Sequence, residues 1–265
     1  MPDIPIDNTD DPRLQAYVNL PERQLRNRDG KFVVEGSFLV QRLLSSSCQV
    51  ESLLVAEDQR HRIVVEGEIP VYLAPPHLLS QITGFKFHRA MLGCGVRPSN
   101  LALPEVLSDT AVPSTAVICS SIHDQENLGG ILRNCAAFGV DLVVLAEHCA
   151  DPWSRRTLRV SMGATFKLNL YWSTDFARDL TRLQSEFGFE LVASVLDSSA
   201  ADLVTVKRGP RLGLLFGNEG HGLAQNWQDC CNRRVTIPMR LQTDSLNVAV
   251  ASGIFLYHFT KGQHQ

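Results

Sequence analysis

The sequence predicts an α/β fold: a C-terminal domain built on a helix-covered parallel sheet, preceded by a smaller α/β domain. Three observations carry this. Apolar, β-branched runs without in–out alternation recur through the second half, separated by stretches of helical period, as for strands buried on both faces. A stretch rich in proline and turn formers, PSNLALPEVLSDTAVPS at 98–114, divides the halves. The 265 residues, 44% of them hydrophobic, suffice for one large core or two modest ones.

The elements follow in order. Residues 1–12 hold four acids (Asp3, Asp7, Asp10, Asp11) and no base among turn formers, and read as a disordered tail. This acidic start is the opposite of a secretory signal. Residues 13–106 form the smaller domain. Phe38, Leu39, Leu43 and Leu44 share a helical face, with Glu35-Gly36-Ser37 as the helix start. VESLLVAE (50–57) and IPVYLA (69–74) read as buried strands, and LLSQITG (78–84) as a short helix ended by glycine.

Residues 107–265 form the larger domain. Its strands are TAVICSSI (115–122), DLVVLAEH (141–148), FELVASVL (189–196), RLGLLFG (211–217) and RRVTIPM (233–239). NLGGILRNCAAFG (127–139) and TDFARDLTRLQSEFG (174–188) read as helices, the second with Phe176, Leu180, Leu183 and Phe187 at helical spacing. The last helix, SLNVAVASGIFLYHF (245–259), is apolar nearly all round, so it belongs in the core or against another subunit.

Several function classes drop out. No apolar run approaches the roughly 20 residues of a membrane span. The seven cysteines have no CxxC and no zinc-like spacing, which indicates a reducing cytoplasm and no metal centre. His123 and His221 lack spaced partners. The net charge of −3 advertises no nucleic acid globally. Locally, Arg23, Arg26, Arg28 and Lys31 crowd into nine residues, forming either a solvated charged face or a phosphate-contacting edge.

In a parallel α/β domain, ligands bind beyond the carboxyl ends of the strands. Three unusual loops fall there: HDQENLGGILR (123–133), GNEGHGL (217–223) and MRLQTDSLN (239–247). Together they predict one site. It has no GxxxxGK[ST], no GxGxxG opening the first helix and no GxSxG elbow, which removes the P-loop, ordinary Rossmann and hydrolase readings. Cys135, in an apolar helix, reads as core rather than nucleophile. Arg133, among small and apolar neighbours, either snorkels to the surface or supplies a fixed cation for an anionic or developing-anion substrate.

These loops, in this order and spacing, resemble the SpoU (TrmH) branch of the SPOUT RNA methyltransferases. Asn127, Gly129, Ile131, Arg133, Ala136, Phe138 and Gly139 fill the family's first motif, Gly217 to Leu223 the second, and Ile237-Pro238-Met239 with Ser245 to Ala251 the third. SMGAT (161–165) resembles a segment between the motifs. Asn134 stands where threonine is common and Cys135 where alanine is usual. KFVVEGSFLVQRLL resembles the F-x-V-E-G segment of the L30e-like substrate-binding domain of rRNA-modifying members.

The resemblance implies a C-terminal trefoil knot, a rare exception to unknotted topology, and a homodimer through that domain. It implies S-adenosyl-L-methionine held by Leu215, Phe216, Gly217, Asn218, Gly220, Ile237, Met239, Ser245, Leu246 and Asn247. The glycines of GNEGHGL would be the pocket wall, where a side chain would strike the adenosyl group. The implied reaction is methyl transfer to a ribose 2′-hydroxyl of RNA, ribosomal ahead of transfer RNA; the alternatives are a tRNA enzyme or a catalytically silent RNA-binding relic. Arg133 would be the catalytic arginine. Being always protonated, it would stabilise the developing alkoxide or orient an RNA phosphate that takes part in proton removal. Asn127, Glu219, Ser245 and Asn247 would hold the arginine and the ribose, with Glu219 the candidate partner of Arg133.

Overall fold

A computed structural model describes residues 3–18, 30–84, 91–107, 109, 111–241 and 243–260. Its contacts divide the chain into two compact units: Met1–Ser99 with Trp153–Phe166, and Asn100–Pro152 with Lys167–Gln265.

The first unit carries a five-stranded mixed sheet of β1 (Ile4–Pro5), β2 (Lys31–Glu35), β3 (Val50–Ala56), β4 (Val71–Ala74) and β5 (Met91–Val96), in the order β1-β4-β3-β5-β2. Helices α1 (Ser37–Leu44) and α2 (Pro76–Thr83) follow β2 and β4. Strands β2 and β5 go beyond the sequence expectation. The glycines of MLGCGV weaken its strand signal, yet packing demands them: a Cβ on Gly95 would lie 2.5 Å from the Phe32 ring, and one on Gly93 3.1 Å from Val34.

The disordered tail expected over residues 1–12 is not what the described part shows. Ile4–Pro5 pairs in parallel with β4, Ile6 is buried, and Asp3 forms an ion pair with Arg60 at 2.9 Å. The Ile-Pro-Ile triplet supplies an edge strand whose apolar signal is masked by the surrounding acids.

The second unit carries seven strands: β6 (Ser114–Cys119), β7 (Leu142–Leu145), β8 (Leu170–Trp172), β9 (Glu190–Ser194), β10 (Ala201–Asp202), β11 (Arg211–Phe216) and β12 (Arg233–Thr236). The order is β10-β12-β9-β11-β6-β7-β8, and neighbouring strands pair in parallel. Its helices are α3 (Leu103–Leu107), α4 (Gln125–Ala137), α6 (Phe176–Ser185), α7 (Gln225–Asp229) and α8 (Val248–Thr260), with α5 (Arg155–Val160) in the excursion that joins the first unit.

Alternate residues of the central strands feed opposite cores. Val117, Val143, Leu214 and Phe216 pack on one face with residues of α4 and α8, while Ile118, Val144 and Leu215 pack on the other with Leu180 and Leu183 of α6. Burial on both faces is why these strands read as continuous apolar runs.

The excursion 153–166, which includes SMGAT, packs in the first unit. Leu158 joins the core of Phe32 and Leu53, the Trp153 and Phe166 rings lie 4.8 and 5.9 Å from that of Phe32, and Arg155 pairs with Glu35 at 2.8 Å. Helix α8 is not buried all round. Phe255, Leu256 and Phe259 are, whereas Val250 (52% exposed), Ile254 (38%) and Tyr257 (63%) form an outward stripe at helical spacing.

Candidate active site

The site is built where strands β6, β9, β11 and β12 end. After β11 the chain makes a closed turn: the N–H and C=O of Asn218 exchange hydrogen bonds with those of Gly222, both at 2.9 Å. The Asn218 side-chain oxygen accepts from the N–H groups of Gly220 (2.8 Å) and His221 (3.1 Å), an Asx-type closure. Gly222 takes a φ of 68°, the left-handed region that suits glycine.

Gly217 is required for another reason. A Cβ there would lie 2.3 Å from the Leu223 nitrogen and 2.4 Å from the Gly222 carbonyl carbon. The returning backbone thus requires glycine at 217 on its own account, whatever the cavity beside it holds. A Cβ on Gly220 would meet the Asn218 oxygen at an ordinary 3.5 Å.

Two helices begin at the same edge. The Asp124 carboxylate caps α4, accepting from the N–H of Glu126 (2.7 Å) and of Asn127 (2.9 Å). The Asn247 oxygen likewise accepts from the N–H of Ala249 (2.9 Å) and of Val250 (3.3 Å) at the start of α8. The Asn247 amide donates to the Asn127 oxygen at 2.7 Å, and the Asn127 amide donates to Glu219 at 3.1 Å. A relay Asn247–Asn127–Glu219 therefore ties all three loops together, and the Asp124 N–H adds a 3.3 Å bond to Glu219.

Beside the relay lies a cavity of about 570 Å³, within the range of small-molecule sites. Its walls come from the loops after β9, β11 and β12 and from Ala251 and Phe255 of α8. Phe216, Gly217, Asn218, Gly220, Ile237, Met239, Ser245, Leu246 and Asn247, residues that the resemblance assigned to the cofactor, line it. Leu215 does not: one step from Phe216 along a pleated strand, its side chain enters the opposite core.

Leu196, Asp197 and Asp244 also line the cavity and were missed in the sequence. The signal was present in LDSS, a polar turn after a strand of the same edge. Leu196 is 61% exposed, unusual for a leucine with nothing to cover. Asp197 accepts from the Ser199 N–H at 2.8 Å and faces Arg234 at 3.5 Å; these hold its carboxyl below the usual range, the Ser199 bond first.

The expected Arg133–Glu219 pair is absent. Arg133 is exposed and has no hydrogen-bond or ion-pair partner among the described residues. Six residues on from Asn127, it points about 120° around the helix. The α8-facing side of α4 carries Gly130, where a Cβ would lie 2.7 Å from that of Ala249, and Asn134, whose amide donates to the Ala249 carbonyl (2.7 Å) and the Ser252 hydroxyl (3.0 Å). The departure at Asn134 thus clasps two helices. Burial pushes the Cys135 thiol far up, consistent with a core role.

Of the basic cluster, Lys31 lies on β2 and pairs with Glu51 at 2.8 Å, while Arg23, Arg26 and Arg28 lie outside the described residues. Among the described residues no His, Cys, Asp and Glu group could hold a metal ion, and no helix is long and apolar enough to cross a membrane.

Fold and cavity define a class of α/β protein in which loops from several strands meet at one sheet edge and enclose a small-molecule site. Comparisons with known proteins narrow the class. Residues 114–257 match the SpoU rRNA methylase family and residues 11–86 the MRM3-like substrate binding domain. A Mycobacterium tuberculosis protein named an uncharacterized tRNA/rRNA methyltransferase is 33% identical over 96% of this chain and 91% of its own length. The 23S rRNA (guanosine(2553)-2′-O)-methyltransferase RlmP of Bacillus subtilis is 26% identical over 96% and 98%. The AdoMet-bound rRNA methyltransferase from Sinorhizobium meliloti is similar in structure, with a TM-score of 0.83 at 25% identity over 96% of both chains. The chain belongs to the SpoU rRNA methylase family.

Proposed function

We propose that this chain transfers a methyl group from S-adenosyl-L-methionine to a ribose 2′-hydroxyl of RNA, ribosomal in preference to transfer RNA. The observation that carries the reading is the Asn247–Asn127–Glu219 relay beside the 570 Å³ cavity, in a chain of this family. The ribosomal preference rests on the relatives named above and on the match to a substrate binding domain.

The cavity suits the cofactor. Leu196, Ile237, Met239, Leu246 and Phe255 offer apolar surface for a purine, and Asp197, Glu219 and Asp244 offer carboxylates for a cationic amino-acid end. Bound there, the sulfonium supplies an electrophilic methyl group. The relay fixes the loops where the acceptor ribose must lie, supplying orientation rather than acid–base chemistry. Arg133, protonated at any working pH, places a guanidinium for the developing alkoxide or for an RNA phosphate. Its exposed position leaves no internal pair among the described residues to break first.

The same reading extends to assembly and location. The stripe Val250, Ile254 and Tyr257 is the apolar seam of a homodimer, on the helix that packs against α4. The passage from β12 into α8 is the knotted segment. The first compact unit, expected from the sequence as residues 13–106, serves as the RNA substrate-binding domain, and the second, expected as 107–265, as the methyltransferase domain; Arg23, Arg26, Arg28 and Lys31 would contact the RNA. The seven free cysteines favour a reducing cytoplasm.

The test is cofactor calorimetry with the purified chain, together with a ribose-methylation map of total RNA from cells with and without the gene. A cofactor complex and one missing 2′-O-methyl mark in ribosomal RNA are expected. A missing tRNA mark would move the substrate class. Cofactor binding with an unchanged map and no transfer in vitro would reveal the silent relic.

A further inference from the structure

A second cavity, of about 470 Å³, lies outside the carboxyl ends of β6, β7 and β8. It shares Asn218, His221 and Gly222 with the cofactor cavity, so the turn after β11 is the partition between them. Strand order reverses here: from β6 the chain builds outward through β7 and β8, then returns beyond β11 to β9. That makes the crevice the topological switch point, where open α/β sheets bind ligands. The cofactor reading leaves it unused.

Its lining indicates what it could take. Phe176 and Trp227, edge to face at 4.9 Å, form an aromatic wall. Glu147, His148 and Thr174 line it as exposed polar groups, with no side-chain hydrogen bond among the described residues. No lysine or arginine is among the described lining residues, so a phosphate finds no counter-charge there. An aromatic wall with mixed donors and acceptors suits a flat, neutral, polar group, which is the chemistry of a nucleobase. Asn218 ties the partition to two of the three lining histidines: its amide nitrogen lies 3.3 Å from His123 Nδ1 and its oxygen 3.4 Å from His221 Nδ1.

We propose that this cavity receives an unpaired RNA base, at or next to the acceptor nucleotide, with Glu147 accepting from an exocyclic amino group. The proposal rests on the RNA methyltransferase reading, because only that reading brings a nucleic-acid strand to the partition. It makes the crevice a specificity pocket, distinct from the cofactor cavity.

The experiment follows the indole N–H resonance of Trp227, assigned with Trp227→Phe, in full-length protein titrated first with S-adenosylhomocysteine and then with guanosine, cytidine, adenosine and uridine 5′-monophosphates. The amino-bearing nucleotides should shift that resonance more than uridine monophosphate does. His148→Ala and Glu147→Gln, both exposed, should weaken this response and raise the KM for RNA about tenfold, leaving cofactor affinity within about twofold. Cofactor binding and RNA methylation with a silent Trp227 resonance and an unchanged KM in both variants would overturn the pocket alone. Nucleotide binding at Trp227 without cofactor binding would support the pocket and overturn the methyltransferase reading instead.

Discussion

Asn247 donates to Asn127 at 2.7 Å, joining the start of α8 to the start of α4 across 120 residues of sequence. Asn127 hands the connection on to Glu219, whose carboxylate also accepts from the Asp124 N–H at 3.3 Å and the Asn218 amide at 3.4 Å. Each member has a structural partner, and Glu219 and Asn247 also line the cavity. Removing Asn127 should therefore cost geometry more than stability. Asn127→Ala should lower turnover about a hundredfold with only a small fall in Tm. Asn247→Ala should add the loss of a helix cap, about 1 kcal/mol. A double-mutant cycle on turnover should show coupling of about 0.5–3 kcal/mol; additive effects would mean that the two residues do not act through one relay.

Arg133 belongs to no such network. Its exposure and lack of a described partner predict that Arg133→Ala keeps the wild-type stability within about 0.5 kcal/mol and retains cofactor binding, while losing methyl transfer. Glu219→Gln should instead behave as a relay variant, with a partial loss of turnover. Equal and complete loss in both, with a strong double-mutant coupling, would restore the Arg133–Glu219 pair that the structure does not contain.

Gly217 and Gly220 separate two uses of glycine in one loop. At 217 a methyl group collides with the backbone of Gly222 and Leu223, atoms that can yield only by opening the turn. Gly217→Ala should cost at least about 3 kcal/mol and abolish cofactor binding with it. Gly220→Ala, whose new methyl meets an ordinary 3.5 Å contact, should fold and bind nearly as the parent does. Denaturant titration and cofactor calorimetry on the pair check this. A tolerated alanine at 217 together with a disruptive one at 220 would show that ligand clearance, not chain return, sets the pattern.

These contrasts show what the chain disclosed in advance. The parallel sheet was legible because β6, β7 and β11 are buried on both faces and so carry unbroken apolar runs. The loops were legible because glycine and asparagine concentrate where backbone must turn and cap. Strand β5 was hidden by glycines that only the Phe32 ring and its neighbours explain. The partner of Glu219 was missed because charge complementarity suggested an arginine, whereas helical phase turns Arg133 away and brings Asn127 in. The face that Leu215 gives its side chain to was not legible, because one step of the strand exchanges one core for the other.

Alkaline pH tests the core around the site. Burial pushes the Cys149 thiol up to about 11 from an ordinary 9.0. Burial first, and then the hydrogen bond to Asp179, pushes Tyr171 up to about 12 from 10.0. Both folded-state values are raised, so the stability they contribute is complete below pH 9 and is lost as pH rises toward 12. Over that window the unfolded chain gives up these protons first, and unfolding becomes easier by up to roughly 1.4 kcal/mol per pH unit for a group as buried as Cys149. Urea titrations from pH 8 to 12 should show stability falling from about pH 9 onward, and Cys149→Ala should flatten the first part of the fall. At neutral pH a thiol reagent should meet the exposed Cys230 well before Cys149. A stability curve that stays level to pH 11, or a fast-reacting Cys149, would place that thiol in water rather than in the core that the loop after β7 turns it into.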